Sequence, residues 1–323
     1  MGKRTNKYTT SMVKCFKQCR KKYELEYIEM LRPVQTPKAL ELGTLYHRGI
    51  EYLLSGVDID TATNNLIIDQ KATCEINGVD FDPIPVGIAC EMVRAFDRES
   101  NWKSWNIRQV EKEFEVSIGY GKRLIGKIDA IMEHEDRTYL IEHKTTSIWN
   151  GDGSEYLHNL LWDEQSTNYL MAHQKMLEDG TISGNSASGI FYCIVEKPSL
   201  RPLLATPIEK RRYKQDGTIY GNQREQDETP EEYLERVKAW FAERPRVHTH
   251  FVYRTPKQLT EQIDDLNLVF RDMIEAERSA TYYRNPAACS ILECPYRPKC
   301  LENTPDTDCL FTHKTKRNEE LNG

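Results

Sequence analysis

Between Gly126 and Lys144 the chain reads GKIDAIMEHEDRTYLIEHK, and three of these residues could do chemistry together. Asp129 and Glu142 are carboxylates set in apolar runs, where packing alone would favour Val or Leu. Lys144 follows Glu142 at i+2, so in a strand both side chains leave the same face. A β-hairpin would carry Asp129 toward that face, and two carboxylates and an ammonium would then converge. Hard oxygen donors so placed suit Mg²⁺ or Mn²⁺. A neighbouring lysine can orient a water or neutralise charge developing on a phosphate. The same pattern fits a solvated strand face with a surface ion pair, and the residues alone leave both readings open.

The elements that must position these groups are legible in the apolar pattern. Ile125, Ile128, Ala130 and Ile131 form one run and Thr138 to Ile141 a second, around the polar turn Glu133-His134-Glu135-Asp136-Arg137. Residues 108–118 alternate, with Val110, Phe114, Val116 and Ile118 against charges, and Gly119-Tyr120-Gly121 turns this strand into the hairpin. A loop from Ser147 to Leu161 follows, then a helix over 163–178 and a buried strand, ASGIFYCIVE, over 187–196. Upstream, 9–31 reads as one helix entered through Thr10 or Ser11 and ended by Pro33. Further helices are expected over 38–54, 60–76 and 84–98. His47 lies in the first of these, where a histidine can be packed core or ligand. Downstream, 197–254 is polar and less regular. A capping box at Thr229-Pro230-Glu231-Glu232 opens a helix ending near Pro245, and 258–278 forms a long amphipathic helix. The tail beyond Phe311 reads as frayed.

With 39% hydrophobic and 29% charged residues over 323 positions, the chain is of globular type. No apolar run approaches the roughly 20 residues that span a bilayer, and no signal-peptide core follows the basic start, so a cytoplasmic protein is expected. The net charge of −6 excludes a uniformly basic nucleic-acid coat. Residues 1–50, however, hold eleven Lys/Arg against four Glu, a local balance of +7. That is the footprint of a polyanion-binding groove or of a solvated helix face. Lys21 and Lys22 are expected among its phosphate contacts. Of nine cysteines, Cys74, Cys90 and Cys193 sit in apolar contexts as core residues. Cys15 and Cys19 lie near one end of the chain, and Cys289, Cys294, Cys300 and Cys309 near the other. Metal or cluster ligation competes there with simple thiols.

The order helix–strand–strand–strand–helix–strand, with D…E-x-K on the second and third strands, resembles the PD-(D/E)XK nuclease superfamily. Three further matches resemble its RecB-like branch. GTLYHRGIE is similar to the branch's histidine motif, and Gln165-Ser166-Thr167-Asn168-Tyr169 to its Q-x-x-x-Y motif. CRKKYELEYI (Cys19–Ile28) and CSILECPYRPKC (Cys289–Cys300) resemble the cysteine clasp of iron–sulfur members, the AddB-type and four-cysteine CRISPR-associated nucleases. The resemblance spans residues 11 to 300.

The resemblance implies an α/β fold with a restriction-endonuclease-like mixed β-sheet core (α-β-β-β-α-β) flanked by helices. It implies that His47, Asp129 and Glu142 hold Mg²⁺ or Mn²⁺, with the His143 backbone carbonyl as a further ligand. Lys144 would position the attacking water, and Gln165 and Tyr169 would steady the active-site helix against the DNA or the lysine. Cys19, Cys289, Cys294 and Cys300 would hold a 4Fe–4S cluster, with zinc as the alternative. Cys289 and Cys294 are set wider than in the CRISPR-associated members, which leaves Cys15 and Cys309 as spare thiols. One elaborated nuclease domain is expected over 1–323. Its parts are a clasp (9–35 and 280–310), a helical part (36–105), a catalytic core (106–197) and an insertion with C-terminal helices (198–279). The implied function is a metal-dependent DNA nuclease, an exonuclease on ends or single strands in recombination, repair or phage DNA metabolism. A structure-selective endonuclease and a non-cleaving iron–sulfur DNA-binding protein are the alternatives. No G-x-x-x-x-G-K-S/T motif is present, so unwinding would need a helicase or recombination partner in the bacterial or phage-infected cell.

Overall fold

A computed structural model describes residues 6–34, 38–151, 154–221, 223–291, 294–302 and 305–317. In chain order the elements are β1 (Lys7–Tyr8), α1 (Thr10–Gln18), α2 (Arg20–Tyr23), β2 (Leu31–Pro33), α3 (Lys38–Leu54), α4 (Ile59–Asn77) and α5 (Pro83–Glu99). There follow β3 (Asn106–Gly119), β4 (Lys122–His134), β5 (Arg137–Thr146), α6 (Glu155–Leu160), α7 (Glu164–Glu178) and β6 (Ala187–Glu196). Last come α8 (Pro230–Glu243), β7 (Val247–Val252), α9 (Pro256–Ser279), α10 (Pro286–Ile291), α11 (Arg297–Leu301) and β8 (Phe311–His313).

Two tight hairpins build the centre. Tyr120 and Gly121 turn β3 into β4 with φ of 50° and 67°, and Glu135 and Asp136 turn β4 into β5 with φ of 49° and 59°. Two consecutive residues with positive φ match the twist of the flanking strands. The second turn is shorter than the five-residue polar stretch suggested, because Glu133 and His134 still pair with Thr138 and Arg137. β6 lies parallel to β5 after the crossover through α6 and α7, and β7 closes the far edge antiparallel to β6. The sheet is therefore mixed, as the resemblance implied. Helices cover both faces. On one face α1, α7 and α9 pack on Leu124, Ile128, Leu140, Tyr192 and Ile194. On the other, α3, α5 and α8 pack on Ala130, Met132, Ile141, Phe191 and Val195.

Several expectations change. The 9–31 segment is not one helix. Thr9 caps α1 through its hydroxyl, and at Cys19 the backbone is extended (φ −160°, ψ 114°). A second short helix, a π-helical turn (Glu24–Ile28) and β2 follow. The returning C-terminal chain supplies partners at the break: Asn285 Nδ2 donates to the Gln18 carbonyl (2.8 Å), and Lys21 N–H donates to the Tyr283 carbonyl (3.1 Å). The tail is paired at its start, because β8 forms a two-stranded sheet with β2. β7 falls in a stretch read as irregular, where two histidines and a threonine hide the alternation of VHTHFV. Among the described residues no helix is long and apolar enough to cross a membrane.

Candidate active site

β4 has two edges. β3 covers one along its length. On the other, β1 pairs at Arg123–Leu124 and β5 at Ala130–His134. Between those ladders, among the described residues, Ile125–Asp129 has no strand beside it on that edge. A groove of about 900 Å³ opens there, walled by Thr10 and Ser11 of α1 and by Gly43 and His47 of α3.

Asp129 lies at the point where β4 and β5 part. Its register partner would be Glu142, one step beyond the last pair, Ala130↔Ile141. The Asp129 carboxylate instead accepts the His143 N–H (2.8 Å), replacing a backbone acceptor of the ladder. The β3 side is irregular at the same level. The β3–β4 ladder skips Glu111 opposite Asp129, and Glu111 has a φ of 51°. Across this kink the strands change faces: Phe114 and Ile128 join the α1–α7–α9 core, whereas Val110 and Ala130 join the other. The alternation read over 108–118 therefore breaks at its third residue before Phe114, and a strained backbone marks the place.

His47 reaches this point from α3, with Nδ1 3.5 Å from Asp129 Oδ2. Lys144 Nζ donates to Glu142 Oε1 (2.7 Å) and to Gln165 Oε1 (3.1 Å). Gln165 Nε2 in turn donates to the Tyr169 hydroxyl (2.8 Å), one helical turn along α7. The structure thus brings His47, Asp129, Glu142, His143, Lys144, Gln165 and Tyr169 together, and His47, Asp129, Gln165 and Tyr169 of these line the groove. The His143 side chain takes the opposite face, with Nδ1 3.5 Å from the Tyr46 hydroxyl. Only its backbone turns toward the carboxylates.

Burial raises the pKa of Asp129 well above the usual carboxylate range, and the Glu142 charge adds to it. Burial also raises Glu142, against the pull of Lys144. Lys144 is disfavoured as a cation by burial, but Glu142 and Asp163 outweigh that and hold its pKa above the ordinary lysine value. Burial and the Lys144 charge push the His47 imidazole down to about 4, so it is neutral and able to ligate at pH 7.

Glu142 is 2% exposed, and its Oε2 is buried with no hydrogen-bond partner. Such an atom is costly unless something positive meets it. A hard divalent cation beside Asp129 and Glu142 fits that need, and the donor set is right for Mg²⁺ or Mn²⁺. As the side chains stand, no three His, Cys, Asp or Glu among the described residues are drawn together as a ligand group. Glu142 leans on Lys144 and Asp129 on the His143 amide.

Asp163 is absent from the sequence reading. It caps α7 by accepting the Gln165 N–H (3.1 Å), pairs with Lys14 (2.8 Å) and lies 3.6 Å from Lys144 Nζ. Its place just before the Q-x-x-x-Y helix is an N-cap signal that could have found it. The basic N-terminal region is largely compensated: Lys7, Lys14, Lys17, Arg20 and Lys21 pair with Glu115, Asp163, Glu164, Asp272 and Glu24. Lys22 lines the groove.

Cys19, Cys289, Cys294 and Cys300 line one cavity of about 320 Å³, together with Lys22, Arg284 and Arg297. All four are free thiols. Arg284 Nε donates to Cys300 Sγ (3.3 Å). Cys15 lies outside that lining, with its thiol directed to Glu26 (3.8 Å), and Cys309 is exposed. Four thiols are the donor type of an iron–sulfur cluster or of zinc, but as the side chains stand no three of them are drawn together as a ligand group.

The family model described as the PD-(D/E)XK nuclease superfamily matches residues 7–301. No curated protein matches the chain. Among solved structures, one described as a candidate exonuclease from Eubacterium rectale aligns with 84% of this chain and 79% of its own, at 13% identity and a TM-score of 0.43. The structure of SSO0001 aligns with 75% of this chain and 78% of its own, at 15% identity and a TM-score of 0.28.

Proposed function

The chain belongs to the PD-(D/E)XK nuclease superfamily, and from that we propose a divalent-metal-dependent DNA exonuclease of the RecB-like branch, with its chain ends clasped by an iron–sulfur cluster. The observation that carries the reading is the Lys144 ammonium, held between Glu142 and Gln165 beside a buried carboxylate oxygen without a partner. His47 against Asp129, and Gln165 bonded to both Lys144 and Tyr169, support the RecB-like branch.

Asp129, Glu142, His47 and the His143 carbonyl would hold Mg²⁺ or Mn²⁺. Such an ion lowers the pKa of a bound water and offsets charge gathering at phosphorus. Lys144 presents its ammonium to the water and to the phosphate oxygens, and Glu142 keeps it charged. Gln165 fixes Lys144 in direction, and Tyr169 fixes Gln165. The gap between β1 and β5 is walled by α1 and α3, and this supports a single strand rather than a duplex as the chain held there. DNA metabolism in recombination, repair or phage replication follows as the setting, with a helicase or recombination protein to supply unwound ends.

For the clasp, the support is that Cys19, Cys289, Cys294 and Cys300 line one cavity. A 4Fe–4S cluster, or zinc in its place, would tie the first and last helices to each other. We also read residues 1–323 as one elaborated domain, since Cys19, Lys22 and Leu25 line that cavity together with Arg284, Cys289, Cys294 and Cys300.

The test is release of nucleotides from end-labelled linear DNA against nicking of a covalently closed circle, each with Mg²⁺, Mn²⁺ and chelator. Metal-dependent shortening of the linear DNA alone is expected. Cutting of the circle would make it an endonuclease, and binding with no cleavage in either metal would make it a non-cleaving DNA-binding protein.

A further inference from the structure

Trp162 stands out on the surface. It lies on the turn between α6 and α7, is 76% exposed, and belongs to neither main core cluster. A single exposed apolar side chain is ordinary, and what singles Trp162 out is its place beside Asp163, which lies 3.6 Å from Lys144 Nζ. It shares a shallow hollow of about 390 Å³ with Lys14, Lys17 and Gln18 of α1 and with Asp163 and Glu164 of α7.

This hollow and the catalytic groove draw on the same two helices. Ser11, Lys14 and Gln18 are spaced by three and four residues and so share one face of α1. Ser11 lines the groove, and Lys14 and Gln18 line the hollow. On α7, Gln165 lines the groove, and Asp163 and Glu164 line the hollow. Both are thus lined from α1 and α7, and Asp163 of the hollow lies 3.6 Å from Lys144 Nζ.

Resting on the nuclease reading, we propose that Trp162 and the Lys14–Lys17 face of α1 form a stacking platform for the single-stranded part of the DNA substrate, next to the cleavage point. An indole face stacks on any base, which suits an enzyme that must accept every sequence. Only an unpaired base offers a free face, since a base inside a duplex is already stacked on both sides. Lys14 and Lys17 are 45% and 42% exposed and each pairs with one carboxylate, Asp163 or Glu164. An ammonium has three donors, so each keeps donors for the phosphates on either side of the stacked base. The two ammoniums are balanced by Asp163 and Glu164, so the indole, rather than net positive charge, carries the likeness to single-strand binders.

The test uses the full chain and Trp162→Ala, with Trp162→Phe as the conservative variant. The site is exposed, so both should fold; their melting temperatures are compared with the parent. The probes are a fluorescent oligo-dT and a blunt duplex of equal length, read by anisotropy in chelator so that nothing is cut. Trp162→Ala should weaken oligo-dT binding roughly tenfold and Trp162→Phe much less, with duplex binding nearly unchanged. With Mg²⁺, Trp162→Ala should raise KM for long single strands and leave kcat close to the parent's. Unchanged oligo-dT affinity in Trp162→Ala overturns the platform, and so does an equal loss on duplex and single strand. A parent that cuts nothing, whose oligo-dT affinity still falls with Trp162→Ala, would sink the nuclease reading and leave the platform standing.

Discussion

Asp129 and Glu142 are carboxylates whose charges cost free energy where they stand, because burial raises the pKa of both and the Glu142 charge raises that of Asp129 further. Removing one relieves the other. Asp129→Ala and Glu142→Ala should therefore lower cleavage on the order of a thousandfold or more, while the metal-free protein melts at the same temperature or higher. A gel-based nuclease assay beside a thermal melt reads both. Near-parent cleavage in either variant would show the site to be misassigned. Lys144→Ala should also abolish cleavage, but calorimetry should find Mn²⁺ affinity largely kept. A second titratable group acts on the fold alone. His173 on α7 is buried, its Nδ1 has no partner, and burial pushes its pKa down to about 4. Between pH 6.5 and 4 the unfolded chain takes up a proton at this position and the fold does not. Stability is thus intact above about pH 6.5 and lost as the pH falls toward 4. At pH 5 the loss at His173 comes to about 2 kcal/mol relative to pH 7. Unfolding free energies from urea melts at the two pH values should differ by that much less in His173→Leu than in the parent.

At the scale of elements, the hairpin was legible because its apolar runs and turn residues agree with each other, and a register error would have turned Asp129 away from Glu142. The kink at Glu111 was not legible, since nothing in RQVEKEF signals a positive φ at a glutamate. Asp163 was passed over because an aspartate before a helix reads as a cap and no more, although here it also reaches Lys144. The break at Cys19 depends on Asn285 and Tyr283, which arrive from the far end of the chain, so no local pattern records it. The elements also carry a chain of support that can be tested away from the carboxylates. A Cβ on Gly126 of β4 would sit 2.5 Å from Phe114 Cζ. Phe114 packs edge-on against Tyr169 (5.8 Å between ring centroids), Tyr169 holds Gln165, and Gln165 holds Lys144. Gly126→Ala should cost about 1–3 kcal/mol through overpacking. It should also depress kcat with Mn²⁺ affinity unchanged, because the disturbance reaches Lys144 through α7. Full activity in a measurably destabilised Gly126→Ala would show that Tyr169 does not govern the lysine.

At the scale of the molecule, segments near the two ends of the sequence are joined without the cysteines. β2 pairs with β8, the Tyr296 hydroxyl donates to the Leu31 carbonyl (3.0 Å), and Arg317 bonds to Tyr23 and Glu277. A cofactor bridging Cys19 and Cys300 would link positions 281 residues apart in sequence (300 − 19). Such a link restricts the unfolded chain strongly, and a ligand held only by the fold adds its binding free energy to stability. Protein purified without oxygen should be brown, with a broad band near about 400 nm, and should carry iron. Cys19→Ser should bleach it, because Cys19 lines the shared cavity, whereas Cys15→Ser should keep its colour, because Cys15 faces Glu26 instead. Loss of the cluster should lower the melting temperature and increase amide exchange in α2, α10 and α11. The β2–β8 ladder and the sheet that carries Asp129 and Glu142 should stay protected, because their bonds do not pass through the cavity. Colourless protein with stoichiometric zinc would keep the clasp and change its metal. Colourless protein with no metal, and a Cys19→Ser variant as stable as the parent, would leave the four thiols as ordinary packing and these segments held by contacts such as the β2–β8 pair, Tyr296 and Arg317.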